Sequence, residues 1–241
     1  MADALFLAHT LARLVAGSRS LAVGTNSPIP AAATLLAREQ GKKMTISILG
    51  SPRHTPFTDG GRELFDFAAQ GRLDAFFLGG GQIDGEGNIN LLAIGDPAQP
   101  KLRFPGSFGS AYLYSLVPNI VLFREEHSPR VLVPKVDFIS AAGSGPKGTY
   151  RPGGPRWLVT GRAVFRFDGQ AFRLNSIHPG ESLKEVTALT GFAFQLDDDF
   201  GETPGPDSAT QALLQGSVAR ELAFAYPQFA ARHFPIKDQQ P

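Results

Sequence analysis

A chain of 241 residues with 42% hydrophobic and 19% charged residues can bury a full core and lacks the composition of a disordered polypeptide. Its 23 basic and 22 acidic residues leave a formal net charge of +1 without long runs of either sign, so no basic stripe is offered to a nucleic-acid backbone or an acidic membrane surface. The absence of cysteine excludes disulfides, cysteine metal sites and a cysteine nucleophile, and fits a reducing compartment.

Leu7, Leu11, Leu14 and Val15 recur at helical spacing, and the charged and polar residues among them make the start an amphipathic helix rather than a signal peptide. No apolar stretch approaches the roughly 20 residues of a membrane helix, so a single cytoplasmic domain over residues 1–241 is expected. Ser20 to Val23 reads as a strand, Pro28 to Arg38 as a helix opened by proline, and Met44 to Leu49 as a second buried strand. A helix over Gly61 to Gln70 and a strand over Asp74 to Leu78 complete an alternation that predicts an α/β fold with a largely parallel sheet flanked by helices. The second half is rich in strands: Asn88 to Ile94, Asn119 to Arg124, Val131 to Val133, Phe138 to Ala141, Trp157 to Thr160, Ala163 to Phe167 and Phe172 to Ser176. Ser182 and Glu185 have capping-box spacing for another helix, and Asp207 or Ser208 caps a last one carrying Leu213, Leu214, Val218, Leu222 and Phe224.

The segment Gly79-Gly80-Gly81-Gln82-Ile83-Asp84-Gly85-Glu86-Gly87-Asn88-Ile89-Asn90 follows a predicted strand, at the carboxyl end where open α/β sheets place ligands. Consecutive glycines allow close approach and can leave amides free for a developing oxyanion; the plainer reading is a tight turn whose Asp84, Asn88 and Asn90 bond local backbone. Gly143, Gly145 and Gly148 fit G-x-G-x-x-G, but the prolines and glycines that follow leave no helix to receive a pyrophosphate, and a dinucleotide site is rejected. The five histidines are scattered without a metal spacing, so no metal is expected. His178 reads as a turn residue, His54 with Arg53 as either a ligand-facing or a solvated pair, and Ser107 as a poor match to a nucleophile turn. Arg124, Glu125, Glu126, His127 and Arg130 form a polar cluster after a strand, read as solvated pairing or as a subunit contact.

Gly79 to Asn90 resembles the signature of β-type subunits in the glutaconate CoA-transferase group of the family I CoA-transferases. Arg103-Phe104-Pro105-Gly106, Val136-Asp137-Phe138, Ser176-Ile177-His178-Pro179-Gly180 and Thr190-Gly191-Phe192 are similar to later pieces of that pattern in the same order, over roughly residues 20 to 195. The resemblance implies an α-type partner subunit in a heterodimer or heterotetramer, with an active site between the two chains. It implies an acyl-CoA substrate, coenzyme A as part of that substrate and no permanent cofactor. Gly80, Gly81 and Gln82 are then expected at the catalytic oxyanion end, with Asp84, Asn88, Asn90, Ser107, Gly109 and Asn26 on the substrate side. One departure stands out. The family's transferases carry a nucleophilic glutamate just after the second strand, whereas this chain has Leu49-Gly50-Ser51-Pro52 there and no carboxylate between Glu39 and Asp59. Asp59 and Glu63 are the nearest substitutes. Similar enzymes that open steroid rings hydrolyse a carbon–carbon bond of a CoA thioester with an acid–base glutamate from the α subunit. Transfer, hydrolysis and a non-catalytic binding or stabilising role are therefore all open on sequence alone.

Overall fold

The computed structural model describes residues 2–41, 43–96 and 98–236. Helix α1 (Ala4–Leu14) starts where the Asp3 carboxylate accepts from Phe6 N at 2.8 Å, satisfying one of the orphan donors of a helix start. It leads to β1 (Ser20–Val23), α2 (Pro28–Glu39), β2 (Thr45–Ile48), α3 (Gly60–Ala69) and β3 (Ala75–Leu78). Two small hairpins follow, β4 (Gln82–Ile83) with β5 (Ile89–Asn90) and β6 (Ala93–Ile94) with β7 (Leu102–Arg103), then α4 (Ser110–Leu116) and β8 (Asn119–Arg124). The chain continues through β9 (Pro155–Thr160), β10 (Ala163–Phe167), β11 (Phe172–Ile177), α5 (Leu183–Leu189), β12 (Gln195–Glu202), α6 (Ser208–Leu214), α7 (Ser217–Ala225) and α8 (Pro227–His233).

Eight of these strands form one sheet in the order β12-β11-β10-β9-β8-β3-β1-β2. Only β9–β10 and β10–β11 pair antiparallel; the rest are parallel, as the helix–strand alternation requires. Both faces of the central strands are covered, which is why β1 is buried at all four positions and reads as an apolar run. Leu21, Val23, Val121 and Val159 face α1, α2 and α7 through Leu7, Leu11, Leu35, Leu36 and Leu222. Ala22, Phe76, Ile120, Leu122 and Leu158 face the opposite core, which contains Leu64, Ile83, Ile89, Leu113, Tyr114 and Val186. The β4–β5 hairpin thus lies on that face as part of its cover.

Several expected elements come out differently. The strand expected over Asn88 to Ile94 is two, because the Asn90 side-chain oxygen accepts from Leu92 N and Ala93 N and bends the chain between them. Val131 to Val133 and Phe138 to Ala141 are not sheet strands; each makes one isolated bridge, Ile83 with Leu132 and Ile89 with Ala141, because they brace the β4–β5 hairpin instead. The last helix breaks into three, at Gly216 and before Pro227. A Cβ on Gly216 would lie 2.7 Å from Ala212 O, so the chain passes too close to continue with any other residue there. The capping box at Ser182 forms: its hydroxyl oxygen accepts from Glu185 N at 3.2 Å and donates to the Glu185 carboxylate at 2.9 Å. Helix α4 and strand β12 carried no pattern strong enough to be expected. Among the described residues no helix is long and apolar enough to cross a membrane.

Candidate functional site

Strand β1 has β2 on one side and β3 on the other, so chain order reverses across it and a crevice opens beyond the carboxyl ends of β1 and β3. A cavity of about 640 Å³ occupies that position. Asn26 and Ser27 line it from the loop after β1, Leu78 and Gly79 from the end of β3, Arg124 to His127 from the end of β8, and Arg162 from the β9–β10 turn. Helix α2 starts in its wall, so a positive dipole end faces the crevice. Asn26 holds a left-handed backbone at φ 55, a conformation that asparagine accepts more readily than most residues.

The groups after β8 differ sharply in how they are held. The Glu126 carboxylate accepts from Ser128 Oγ at 2.6 Å and from Arg130 Nε at 3.1 Å, and these bonds hold it below the usual carboxylate range. Arg162 is paired with Glu181. His127 is 5% exposed, placed between Thr160 Oγ1 at 2.7 Å and Thr190 Oγ1 at 3.0 Å, and burial pushes it down to about 4, so it is neutral at pH 7. Glu125 is exposed at the cavity, and among the described residues its carboxylate has no partner; only its backbone carbonyl is used, accepting from Gly161 N at 2.9 Å.

The glycine-rich segment after β3 divides into two parts. Gly79 lines the cavity, and among the described residues neither the Gly79 nor the Gly80 amide donates to another group of the chain. The Gly81 amide, expected to be free, donates to Asn90 O at 2.8 Å, because the β4–β5 hairpin closes on it. Gln82 Oε1 accepts from Asn90 Nδ2 at 2.7 Å and from Asp137 N at 3.0 Å. Asp84 accepts from Glu86 N, Asn88 N and Asn88 Nδ2 at 3.0 to 3.1 Å, and Asn88 Oδ1 accepts from Gly143 N at 3.0 Å. Asp84, Asn88 and Asn90 are therefore turned into the loop that they build, and they are not in the cavity wall. Phe104 packs against Gly81 so closely that a Cβ there would lie 2.2 Å from the ring. Gly109 stands at the start of α4 against Phe65, and Ser107 O accepts from Ser110 N at 2.8 Å; neither lines the cavity.

The loop after β2 carries no carboxylate. Gly50 turns it at φ 87, and Ser51 Oγ and His54 Nδ1 lie 3.0 Å apart, both buried, with His54 Nε2 2.8 Å from Glu221 Oε2 of α7. Arg53 binds the same carboxylate through two bonds of 3.1 and 2.9 Å, so the loop is fastened to α7 rather than solvated. Glu63 caps the start of α3 by accepting from Thr58 N and Asp59 N, and Asp59 pairs with Arg62; neither lines the crevice. His178 is fully enclosed, with Nε2 donating to Thr160 O at 2.9 Å and Nδ1 3.0 Å from Thr203 Oγ1, and burial pushes it down to about 4. No group of three or more His, Asp or Glu among the described residues is placed to hold a metal. Of the residues expected from sequence, Asn26 lies in the cavity wall. The Arg124–His127 segment and Arg162 lie there too, although sequence assigned them no ligand; their position directly after strand ends was the usable signal.

Comparison with known proteins places this geometry. The family model for coenzyme A transferase matches residues 6–189. The 3-oxoadipate CoA-transferase B subunit from Pseudomonas knackmussii is 31% identical over 225 residues, covering 90% of this chain and 84% of that protein. The IpdB polypeptide of the cholesterol ring-cleaving hydrolase from Rhodococcus jostii is 31% identical over 160 residues, 64% of this chain and 62% of that protein. The solved IpdAB structure superposes with a TM-score of 0.77 at 25% identity, over 89% of this chain and 93% of that one. The decarboxylase AibA/AibB superposes with a TM-score of 0.73 at 26% identity, over 94% of this chain and 98% of that one. With the family model covering most of its length and the fold superposing on solved relatives, the chain belongs to the coenzyme A transferase family and is of its β-subunit type.

Proposed function

We propose that this chain is the β-type subunit of a two-chain enzyme that acts on an acyl-CoA thioester without passing coenzyme A through a carboxylate of its own. The observation that carries this reading is the loop after β2, which lacks a carboxylate and is fastened to α7 by Arg53 and His54. The nearest acids, Asp59 and Glu63, are spent on the start of α3. The family's glutamyl thioester forms on a carboxylate of that loop, which offers none, and Glu125, the unpaired carboxylate at the crevice among the described residues, serves as proton carrier rather than nucleophile. The relatives include a transferase, a ring-cleaving hydrolase and a decarboxylase, and hydrolysis or carbon–carbon bond cleavage with CoA as a handle is the chemistry this subunit suits.

In this reading the acyl-CoA carbonyl enters the crevice at the ends of β1 and β3, and the Gly79 and Gly80 amides stabilise negative charge on its oxygen. Gln82, Asp84, Asn88 and Asn90 set the shape of that turn, and Asn26 contacts substrate from the opposite wall. Glu125 is the carboxylate available to move a proton, since Glu126 is held ionised by Arg130 and Ser128 and His127 is buried and neutral. An α-type subunit closes the cavity, limits bulk water to the molecule a hydrolysis consumes and supplies further groups. The test is intact-mass measurement of the assembled enzyme incubated with acyl-CoA and no acceptor. No CoA-sized increase on this chain is expected; such an increase on any of its carboxylates would overturn the reading. Loss of kcat on changing Gly79 to valine separates it from a purely stabilising role, for which KM or assembly would change and kcat would hold.

A further inference from the structure

The amino end of β9 carries a second concavity, of about 330 Å³, between the 143–154 loop and the β10–β11 turn. Pro155 and Thr160 stand at opposite ends of β9, so this cleft is separated from the crevice by about 17 Å of strand. Its charges do not cancel. Arg166 is paired in a fork with Asp197, and Asp168 is turned to its own hairpin, accepting from Gln170 N and Ala171 N at 2.9 Å. Arg151 and Arg156 have no carboxylate partner among the described residues. Arg151 donates to Ser144 O at 3.0 Å and to Ala142 O, and lies 5.8 Å from the centre of the Tyr114 ring. Arg156 donates through Nε to Pro118 O at 3.1 Å, which leaves its terminal nitrogens for another acceptor.

A half-buried guanidinium satisfied only by carbonyls retains its full charge, and burial lowers the pKa of Arg151, with the Tyr114 phenol opposing it and no carboxylate beside it among the described residues. The floor beneath it is fixed. A Cβ on Gly143 would lie 2.0 Å from Glu86 O, and one on Gly153 would lie 2.7 Å from the backbone of Ser115 and Leu116. The loop is therefore pressed onto the β4–β5 hairpin and α4, and the two cations are presented on a rigid base. The planar donor fork of arginine matches tetrahedral oxyanions in a way a surface lysine does not.

We propose that this cleft is an anion site in which Arg151 and Arg156 bind a small phosphate-bearing ligand of the pyrophosphate or phosphomonoester class. The proposal does not depend on the reaction assigned above, since binding is read without turnover. The experiment is calorimetric titration of the full-length protein with sodium pyrophosphate at fixed ionic strength set by chloride, for the wild type, Arg156→Gln and Arg151→Met. Saturable binding weakened about tenfold or more by each substitution is expected. Arg156→Gln removes an exposed side chain and keeps the test valid if Arg151→Met disturbs the loop, which melting temperature reports. Repeating the titration with CoA and with pantetheine decides the source of the phosphate. Displacement of pyrophosphate by CoA and not by pantetheine assigns the site to the phosphates of CoA, and no displacement by either assigns it to a free anion. Absence of saturable pyrophosphate binding to the wild type, or binding unchanged in Arg156→Gln, would overturn the proposal.

Discussion

The segments that follow β3 and β8 leave adjacent strands of the same sheet and treat their polar groups in opposite ways. After β3 the chain spends nearly everything on itself: Gln82, Asp84, Asn88 and Asn90 form a closed set of internal hydrogen bonds, and Asn90 is fully buried. After β8 it keeps one carboxylate, Glu125, that among the described residues is unbonded, at the cavity between a bridged Glu126 and a neutral His127. The first segment supplies fixed shape and backbone amides, and the second supplies a titratable side chain. A glycine-rich signature therefore marks architecture, and the unpaired carboxylate sits in a short polar stretch with no signature of its own.

This contrast predicts different failures. Glu125→Gln in the assembled enzyme should lower kcat by about 10²- to 10⁴-fold with melting temperature nearly unchanged, because the side chain has no structural partner to lose. An unchanged rate would remove Glu125 from the chemistry. Asn90→Ala should do the reverse and cost about 3 kcal/mol of unfolding free energy, since Leu92 N and Ala93 N would lose their acceptor, Ala93 O its donor and Gln82 Oε1 one of its two donors. Urea titration reads this directly, and a loss below about 1 kcal/mol would mean that the loop is held by other means.

The buried histidines set a pH response of the scaffold. His127 and His178 are pushed down to about 4 by burial, from an unfolded value near 6.5. Between those values the unfolded chain binds protons that the folded chain refuses. Their contribution is therefore complete above about pH 6.5 and is lost as pH falls towards 4. A decrease on the order of 3 kcal/mol per histidine is expected across that window, and His178→Gln should flatten the slope there. A flat stability profile from about pH 6.5 to about 4.5 would show that the rings are hydrated. The smallest effect belongs to Asn26, at φ 55: Asn26→Ala should cost about 1 kcal/mol and Asn26→Gly a few tenths, compared by thermal melting.

Periodicity was sufficient for the first half because β1, β2 and β3 are separated by helices with clear apolar stripes and proline or glycine ends. It failed at Val131 to Val133 and Phe138 to Ala141, where apolar residues are buried by bracing a hairpin rather than by joining the sheet. It also failed at β12, an exposed edge strand containing Asp197, Asp198 and Asp199, whose pairing with β11 depends on the partner strand and not on its own composition. Within the site, residue types marked the glycine turn and the missing carboxylate after β2. Spacing did not separate Glu125 from Glu126, which share the same short-range neighbours; the turn after β8 decides that Arg130 and Ser128 fold back onto Glu126 alone.

The sequence alone carried the α/β class, the order of the early elements, the family resemblance and the lack of any Asp or Glu between Glu39 and Asp59. These depend on residue identity and short-range spacing. The tertiary structure alone decided which amides and carboxylates remain unbonded, that Ser51 and His54 are tied to Glu221, and that Arg151 and Arg156 share a cleft. Those outcomes depend on which groups from distant segments the packed fold brings within reach of each donor and acceptor, and that competition is settled only when the sheet and its covering layers close.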